Sequence, residues 1–252
     1  MTQDQYHSIQ EAGMYNVLSD YYKYTNPELH VYYYHKHLQS LNNAFSHDSK
    51  SAVVTDIQRQ KEYGKIRILH GAESATTVDI YINGIRMFKE VSYKTMSNDL
   101  TLPAGKYQID IYETGKMIDT LCSQKINVES NVYHTFAVSG MDNKLKVYSF
   151  PEYPVVPPNE TKLRIVQLAE NLPTIDIAVQ KGDVVFPSIN YKGATSYLAL
   201  YPMSVYLEAR NSDTKEVLKK FPSLRLEPDK AYTAFIVKNT EDNSCELLLF
   251  SC

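Results

Sequence analysis

Cysteine is scarce: Cys122, Cys245 and Cys252 are the three in a chain of 252 residues. That is too few for the disulfide framework that staples small secreted domains. Cys245 and Cys252 are close enough in sequence to pair, but reduced, structural thiols are the expectation. An excess of one charge is also missing. The formal net charge is −3 and no long Lys/Arg run occurs, so no nucleic acid and no anionic membrane surface is expected as a partner. No apolar run reaches the length of a bilayer-spanning helix, so no transmembrane segment is expected. The opening residues, Met1 to Asn16, lack the basic start and apolar core of a secretion signal. This predicts a protein that is cytoplasmic at synthesis. Chemistry motifs are absent as well. There is no Gly-Xaa-Ser-Xaa-Gly elbow, phosphate loop, dinucleotide fingerprint or His-Glu-Xaa-Xaa-His. The expectation is a non-enzymatic protein with no catalytic residue, cofactor or metal.

What is present is an internal repeat, the feature to seek before any other. Lys65 opens KIRILHGAESATTVDIYING, and Lys162 opens KLRIVQLAENLPTIDIAVQKG. Arg67 aligns with Arg164, Ala72 with Ala169, Glu73 with Glu170 and Asp79 with Asp176. After a one-residue insertion Gly84 meets Gly182, Phe88 meets Phe186, and Tyr93-Lys94 meets Tyr191-Lys192. Farther on, Tyr133 and Phe136 are matched to Tyr232 and Phe235, and Phe150 to Phe250. Such identities as Tyr93/Tyr191 read as core demands.

Each copy reads as all-β. Val78, Ile80 and Ile82 alternate with Asp79 and Tyr81, the period of a half-buried strand. Asn83-Gly84 follows, a hairpin signal because both residues tolerate positive φ. Tyr107, Ile109 and Ile111 repeat the pattern, with Val205, Leu207 and Ala209 as counterparts. A last hairpin is predicted to turn at Ser139 to Asn143. About seven short, turn-separated strands per copy predict an immunoglobulin-like β-sandwich. Residues 63–150 and 161–252 are therefore read as two sandwiches, with a stiff Pro-rich linker over 151–160 holding them apart.

Residues 1–62 differ in kind, being rich in Tyr and His. Gln5 to about Tyr24 reads as a helix, its apolar stripe made of Ile9, Ala12, Met14, Val17, Leu18 and Tyr21 or Tyr22. Asn26-Pro27-Glu28 restarts a second helix, since Asn caps, Pro suits the first turn and Glu favours the positive helix end. That helix should run to about Phe45, with Leu29, Tyr33, Leu38 and Leu41 on one face, although Tyr32-Tyr33-Tyr34 also suits a strand. Residues 46 to 63 read as a polar tether. Overall the chain is all-β, with a short, mainly helical N-terminal segment.

The motif set resembles a bacterial family known as domain of unknown function 4397. The carriers are Arg67-Ile68-Leu69-His70-Gly71-Ala72, Val78-Asp79-Ile80-Tyr81-Ile82-Asn83-Gly84, Val91-Ser92-Tyr93 and Leu102-Pro103-Ala104-Gly105-Lys106-Tyr107. The first copy matches closely. The second diverges, with Gln167 for the His, Gln180-Lys181-Gly182 for Asn-Gly and Tyr201-Pro202-Met203 for the Pro-Ala-Gly turn. The resemblance implies a repeated β-sandwich, often in envelope or extracellular proteins, and no catalytic residues.

Candidate sites are few. The repeated Arg67/Arg164 and Asp79/Asp176 suggest structural ion pairs across strands. His30, His35 and His37 cluster loosely, but His35 leaves the helical face of the other two and no Cys is near, so no metal site is expected. His134 is expected at a surface or edge. Tyr21, Tyr22, Tyr24, Tyr32, Tyr33 and Tyr34 are candidate interface anchors. Tyr81, Tyr112, Tyr197 and Tyr206 form a candidate ligand face. The leading expectation is a structural or interaction protein, its sandwiches acting as spacer or scaffold in an envelope or spore-coat-type assembly. Its N-terminal segment would bind a protein partner or a second copy. The alternative is a carbohydrate- or peptide-binding module, with a glycan as ligand.

Overall fold

The computed structural model describes residues 3–45, 62–140, 145–242 and 244–252. Most of the expected tether (46–61) and the tip of the last first-half hairpin (141–144) lie outside the described residues.

Two helices, α1 (Gln3–Tyr22) and α2 (Pro27–Phe45), make an antiparallel hairpin. The restart works as the sequence predicts: Leu29 N donates to Asn26 Oδ1 at 3.2 Å, and Pro27 and Glu28 occupy the first turn. The Tyr32-Tyr33-Tyr34 run is helical. The inner faces differ from the expected stripes, because Met14, Val17 and Leu38 are exposed. Ala12 is buried as expected, and Ser19, His30, Ser40 and Ala44 join it. Small residues let the helix backbones approach closely, and ring nitrogens then satisfy carbonyls of the facing helix. His30 Nδ1 lies 2.7 Å from Ser19 O, and His37 Nδ1 lies 2.8 Å from Ala12 O. Tyr22 and Tyr33 stack at 5.6 Å between ring centroids, with Tyr15 next to Tyr33 at 6.3 Å.

The β region is a separate unit. Its first half runs β1 (Tyr63–His70), β2 (Thr77–Ile82), β3 (Ile85–Ser92), β4 (Leu100–Pro103), β5 (Gly105–Glu113), β6 (Thr120–Val128), β7 (Tyr133–Ser139) and β8 (Lys146–Glu152). The second runs β9 (Thr161–Gln167), β10 (Ile175–Val179), β11 (Val184–Ile189), β12 (Leu198–Leu200), β13 (Met203–Val205), β14 (Leu207–Asn211), β15 (Val217–Lys220), β16 (Leu224–Leu226), β17 (Lys230–Lys238) and β18 (Cys245–Ser251). The first half has sheets ordered β4-β1-β7-β8 and β3-β2-β5-β6. The second repeats both orders as β12-β9-β17-β18 and β11-β10-β14-β15, and β13-β16 matches the far end of the β5–β6 ladder beyond a break in both strands. The pairs β1–β7 and β9–β17 are parallel and the other named pairs antiparallel.

Backbone detail repeats too. Non-glycine residues with positive φ recur 98 positions apart: Asn83 and Lys181, Glu90 and Ser188, Lys94 and Lys192, Asn131 and Asp229. Asn83-Gly84 turns with φ of 50° and 78°, the double left-handed pair that its sequence predicts. The repeated acids do not pair with the repeated arginines. Asp79 Oδ1 accepts Glu90 N, and Asp176 Oδ1 accepts Ser188 N, each at 2.8 Å. They secure the strained amides of two equivalent strand irregularities.

Each half has its own core, drawn from both of its sheets. In the second, Ile165, Ala234 and Ile236 share one cluster with Ile177, Phe186 and Ala209. A further cluster belongs to neither half. Leu69, Ala137 and Phe150 of the first pack with Val166, Leu168, Phe235 and Val237 of the second. The sheets β4-β1-β7-β8 and β12-β9-β17-β18 therefore face each other, and the linker does not hold the halves apart. Pro151 and Glu152 extend β8 rather than opening the linker.

This face also corrects the repeat's register. Thr135 pairs with Arg67, and Thr233 with Arg164. The offset in this strand is thus 98, and Phe136 corresponds to Ala234, while Phe235 corresponds to Ala137. Phe235 looks into the inter-half cluster. A shift of one residue moves a side chain to the opposite face of a sheet. Phe235→Ala should therefore cost roughly 3–5 kcal/mol in urea denaturation of the full chain. A cost under about 1 kcal/mol, typical of an exposed site, would contradict a close-packed contact between halves.

Candidate functional site

The repeated arginines converge on one carboxylate. Glu152 ends β8, Arg67 lies in β1 and Arg164 in β9, and all three side chains are buried. Arg67 donates from Nε to Thr135 Oγ1 at 2.9 Å, from Nη1 to Ser251 O at 2.7 Å and from Nη2 to Glu152 Oε1 at 3.4 Å. Arg164 mirrors it, with Nε to Thr233 Oγ1 at 3.0 Å and Nη1 to Pro151 O at 2.8 Å. Its Nη2 lies 3.0 Å from Glu152 Oε2, an ion pair without hydrogen-bond alignment. The carboxylate also accepts Thr135 Oγ1 at 2.6 Å, Thr233 Oγ1 at 2.9 Å, Tyr197 OH at 2.5 Å and Cys252 Sγ at 3.1 Å. Tyr133 covers the Arg67 guanidinium at 5.1 Å and Tyr197 the Arg164 guanidinium at 4.8 Å.

The contacts are reciprocal. Phe150 pairs with Thr135 and Phe250 with Thr233, so Pro151 corresponds to Ser251 and Glu152 to Cys252. Each arginine donates to the carbonyl of the other half's equivalent residue, the mark of a self-complementary twofold contact. The repeated Tyr-Lys pairs join it at the rim. Tyr93 OH donates to Lys238 O at 2.6 Å, Tyr191 OH meets Ser139 Oγ at 3.1 Å, and Lys94 pairs with Glu246 at 2.5 Å. Glu73 pairs with Lys238. Tyr93 and Tyr191 are thus contacts between halves rather than core residues of each half.

Burial alone would push the Glu152 carboxyl up. The Arg164 guanidinium and the Thr135, Tyr197 and Cys252 donors outweigh it and hold the group down at about 2. Burial, reinforced by the Glu152 charge, pushes the Cys252 thiol up to about 12. Burial likewise pushes Cys245 up to about 11 and Cys122 above its ordinary value. The cysteines are all unpaired.

Two buried polar groups at corresponding positions serve loops. His70 Nε2 lies 2.9 Å from Ala75 O, and burial pushes its imidazole down to about 4. Gln167, at the same position in the second half, donates from Nε2 to Ala169 O at 3.0 Å. An amide thus replaces an imidazole in tying down the loop that follows the strand. His134, expected near the surface, is buried, stacked on Phe136 at 5.5 Å and bonded to Ser149 Oγ at 3.0 Å. Among the described residues no group of three His, Cys, Asp or Glu lies close enough to hold a metal ion.

The candidate ligand face disperses. Tyr81 and Tyr112 meet edge to face at 5.4 Å, with Tyr81 OH 3.5 Å from Met117 Sδ. Tyr206 is exposed in the other half. Tyr197 leaves the face altogether, because its hydroxyl is spent on Glu152. Among the N-terminal residues, Tyr21, Tyr24, Tyr32 and Tyr34 are exposed, while Tyr22 and Tyr33 stack between the helices. An apolar mouth of about 720 Å³ opens in the second half, lined by Phe186, Leu200, Met203 and Val205 among others. Sequence reasoning missed it, since no motif marks a cavity.

Two predictions follow from the junction's charges. The folded carboxyl of Glu152 titrates below its unfolded value of about 4.5, so it contributes stability above that pH, and the contribution fades as pH falls toward about 2. The loss should be about 3 kcal/mol across that window. Glu152→Gln should remove this acid-dependent step, while costing ~3–5 kcal/mol at neutral pH by leaving two buried guanidinium groups uncompensated. Unfolding curves against pH check both. Separately, a thiol-specific disulfide reagent at mildly alkaline pH should label none of the three cysteines in the native protein and all of them after denaturation. Rapid native labelling of Cys252 would show that the junction opens.

No curated protein matches this sequence. Among solved structures, the Bacillus anthracis TIE protein shares 11% identity at a TM-score of 0.24, over 75% of this chain and 44% of that one. The present chain thus spans less than half of that protein. A proposed cell adhesion protein from Bacteroides ovatus shares 11% at 0.22, over 75% and 96%. Another from Parabacteroides distasonis shares 6% at 0.22, over 75% and 99%. Scores this low carry no structural argument. No helix among the described residues is long and apolar enough to cross a membrane. The family model described as a domain of unknown function, DUF4397, matches residues 64–178, which cover the first half together with β9 and most of β10.

Proposed function

We propose that this chain is a non-enzymatic interaction protein: two copies of one immunoglobulin-like sandwich, locked into a rigid body, whose N-terminal tyrosines contact a partner protein or a second copy. The observation that carries this reading is the junction. Its ionisable groups are consumed in holding the halves together, so Arg67, Glu152 and Arg164 serve rigidity, not chemistry. The equal strand orders and the recurring positive-φ residues support duplication. The exposed Tyr21, Tyr24, Tyr32 and Tyr34 supply aromatic anchors of the kind that dominate protein interfaces. A Tyr-rich rigid element suits an envelope or spore-coat-type layer, deposited after synthesis in the cytoplasm.

Light scattering on the full chain is the test. The wild type should self-associate with rising concentration. The Tyr21→Ser/Tyr24→Ser/Tyr32→Ser/Tyr34→Ser variant should stay monomeric, with the same melting temperature. A wild type that is monomeric throughout would remove the self-association face and leave a different protein as partner. The Tyr81–Tyr112 pair favours a second reading, a carbohydrate- or peptide-binding module. Glycan-array binding that Tyr81→Ala/Tyr112→Ala abolishes would establish it.

A further inference from the structure

The halves differ most where β5 corresponds to β13 and β14. In the first half this strand is continuous from Gly105 to Glu113. Ile82 pairs with Ile109 there, and Val179 with Leu207 in the second half, so Tyr107 corresponds to Val205. Tyr107 lies on the core-facing side of its strand, in line with Ile109 and Ile111. Its ring is half-buried, and its hydroxyl donates to Pro103 O at 2.8 Å, fastening the ring at that end of the sandwich. In the second half the strand breaks at Tyr206. The piece Met203–Val205 still pairs with Leu224–Leu226, as Gly105–Tyr107 pairs with Ile126–Val128 in the first half, and valine stands where the ring would be.

The result is an apolar mouth of about 720 Å³, within the roughly 300–1,000 Å³ range of small-molecule sites. It reaches the second half's core through Leu163, Phe186, Leu200, Val205 and Leu207. Lys181, exposed at its rim, is the one charged residue in the lining among the described residues. The edges beside it resist an added peptide strand. On β11, Pro187 lacks an amide proton and Ser188, at φ 53°, has its amide taken by Asp176. On the other edge, β12 is three residues long. The slot between two facing sheets is narrow, since such sheets pack about 10 Å apart. A thin apolar chain fits it, and the lone rim cation selects a negative head.

We propose that the second half binds an unbranched anionic amphiphile, of the fatty-acid class, with its tail in this mouth and its carboxylate at Lys181. Each buried methylene should contribute about 0.8 kcal/mol. The test is calorimetric titration of the full chain with dodecanoate and, separately, dodecanol, both kept below the concentration at which they aggregate. Dodecanoate should bind saturably with one site per chain. Val205→Tyr restores the first half's plug and should weaken binding about tenfold or more. Met203→Phe, two residues away in the same strand and also in the lining, fills the mouth at a second position and should act in the same direction, so a failure of either variant to fold leaves the other as the test. Lys181→Gln should weaken dodecanoate by up to about fivefold, the worth of one exposed ion pair, and leave dodecanol unchanged. Absence of saturable binding, or binding that the folded plug variants leave intact, overturns the site. Equal loss of both ligands in Lys181→Gln overturns the anionic selectivity.

Discussion

A single buried carboxylate organises the β region. Glu152 draws in one arginine from each half, together with Thr135, Thr233 and Tyr197. Ion pairs of this kind add little net stability over an apolar packing of the same shape, because both charges must be stripped of water. Their force lies in what they forbid. Any sliding or parting of the two sheets would leave two guanidinium groups and a carboxylate buried without partners. The apolar cluster around Phe150 and Phe235 supplies the attraction, and the polar network sets the register in which it is realised. The rim pairs Lys94–Glu246 and Glu73–Lys238 are half-exposed and add about 1 kcal/mol or less each.

At the carboxylate the twofold contact is broken. Glu152 and Cys252 occupy equivalent positions and touch each other. A second carboxylate there would sit beside the first, and two such groups in a buried site cannot both stay ionised. A thiol is small, can donate to Glu152, and stays neutral because burial and the neighbouring charge push its pKa up. The other divergence, Tyr107 against Val205, lies away from the junction, where nothing in the contact between halves constrains it.

Much of this was visible in the amino-acid order. The alternation around Ile80 and Ile109 marked strands, Asn83-Gly84 marked a left-handed turn, and Asn26-Pro27 marked the helix restart. The failures have a common cause. Strands β7 and β17 are buried on both faces, so their residues read as continuous apolar runs without a period of two. With no alternation to fix the phase, Phe136 and Phe235 matched by type although they face opposite ways. The same double burial misplaced His134 and hid the sheet-to-sheet contact. In the helical hairpin, Met14 and Val17 suggested part of an apolar stripe, but close approach favoured Ser19 and Ser40 beside Ala12, and the small serines carry no hydropathy signal.

By itself the sequence determined the β class, turn positions such as Asn83-Gly84 and the helix restart at Asn26-Pro27. Those follow from local periodicity and from backbone preferences that act within a few residues. Only the tertiary structure decided that the halves face each other, that Arg67 and Arg164 share Glu152, and that a mouth opens at Val205. Those depend on groups up to 185 positions apart, such as Arg67 and Cys252, meeting in a space that excludes water. No local pattern encodes such a meeting, because the cost of leaving a buried charge unpaired arises only once the chain has folded around it.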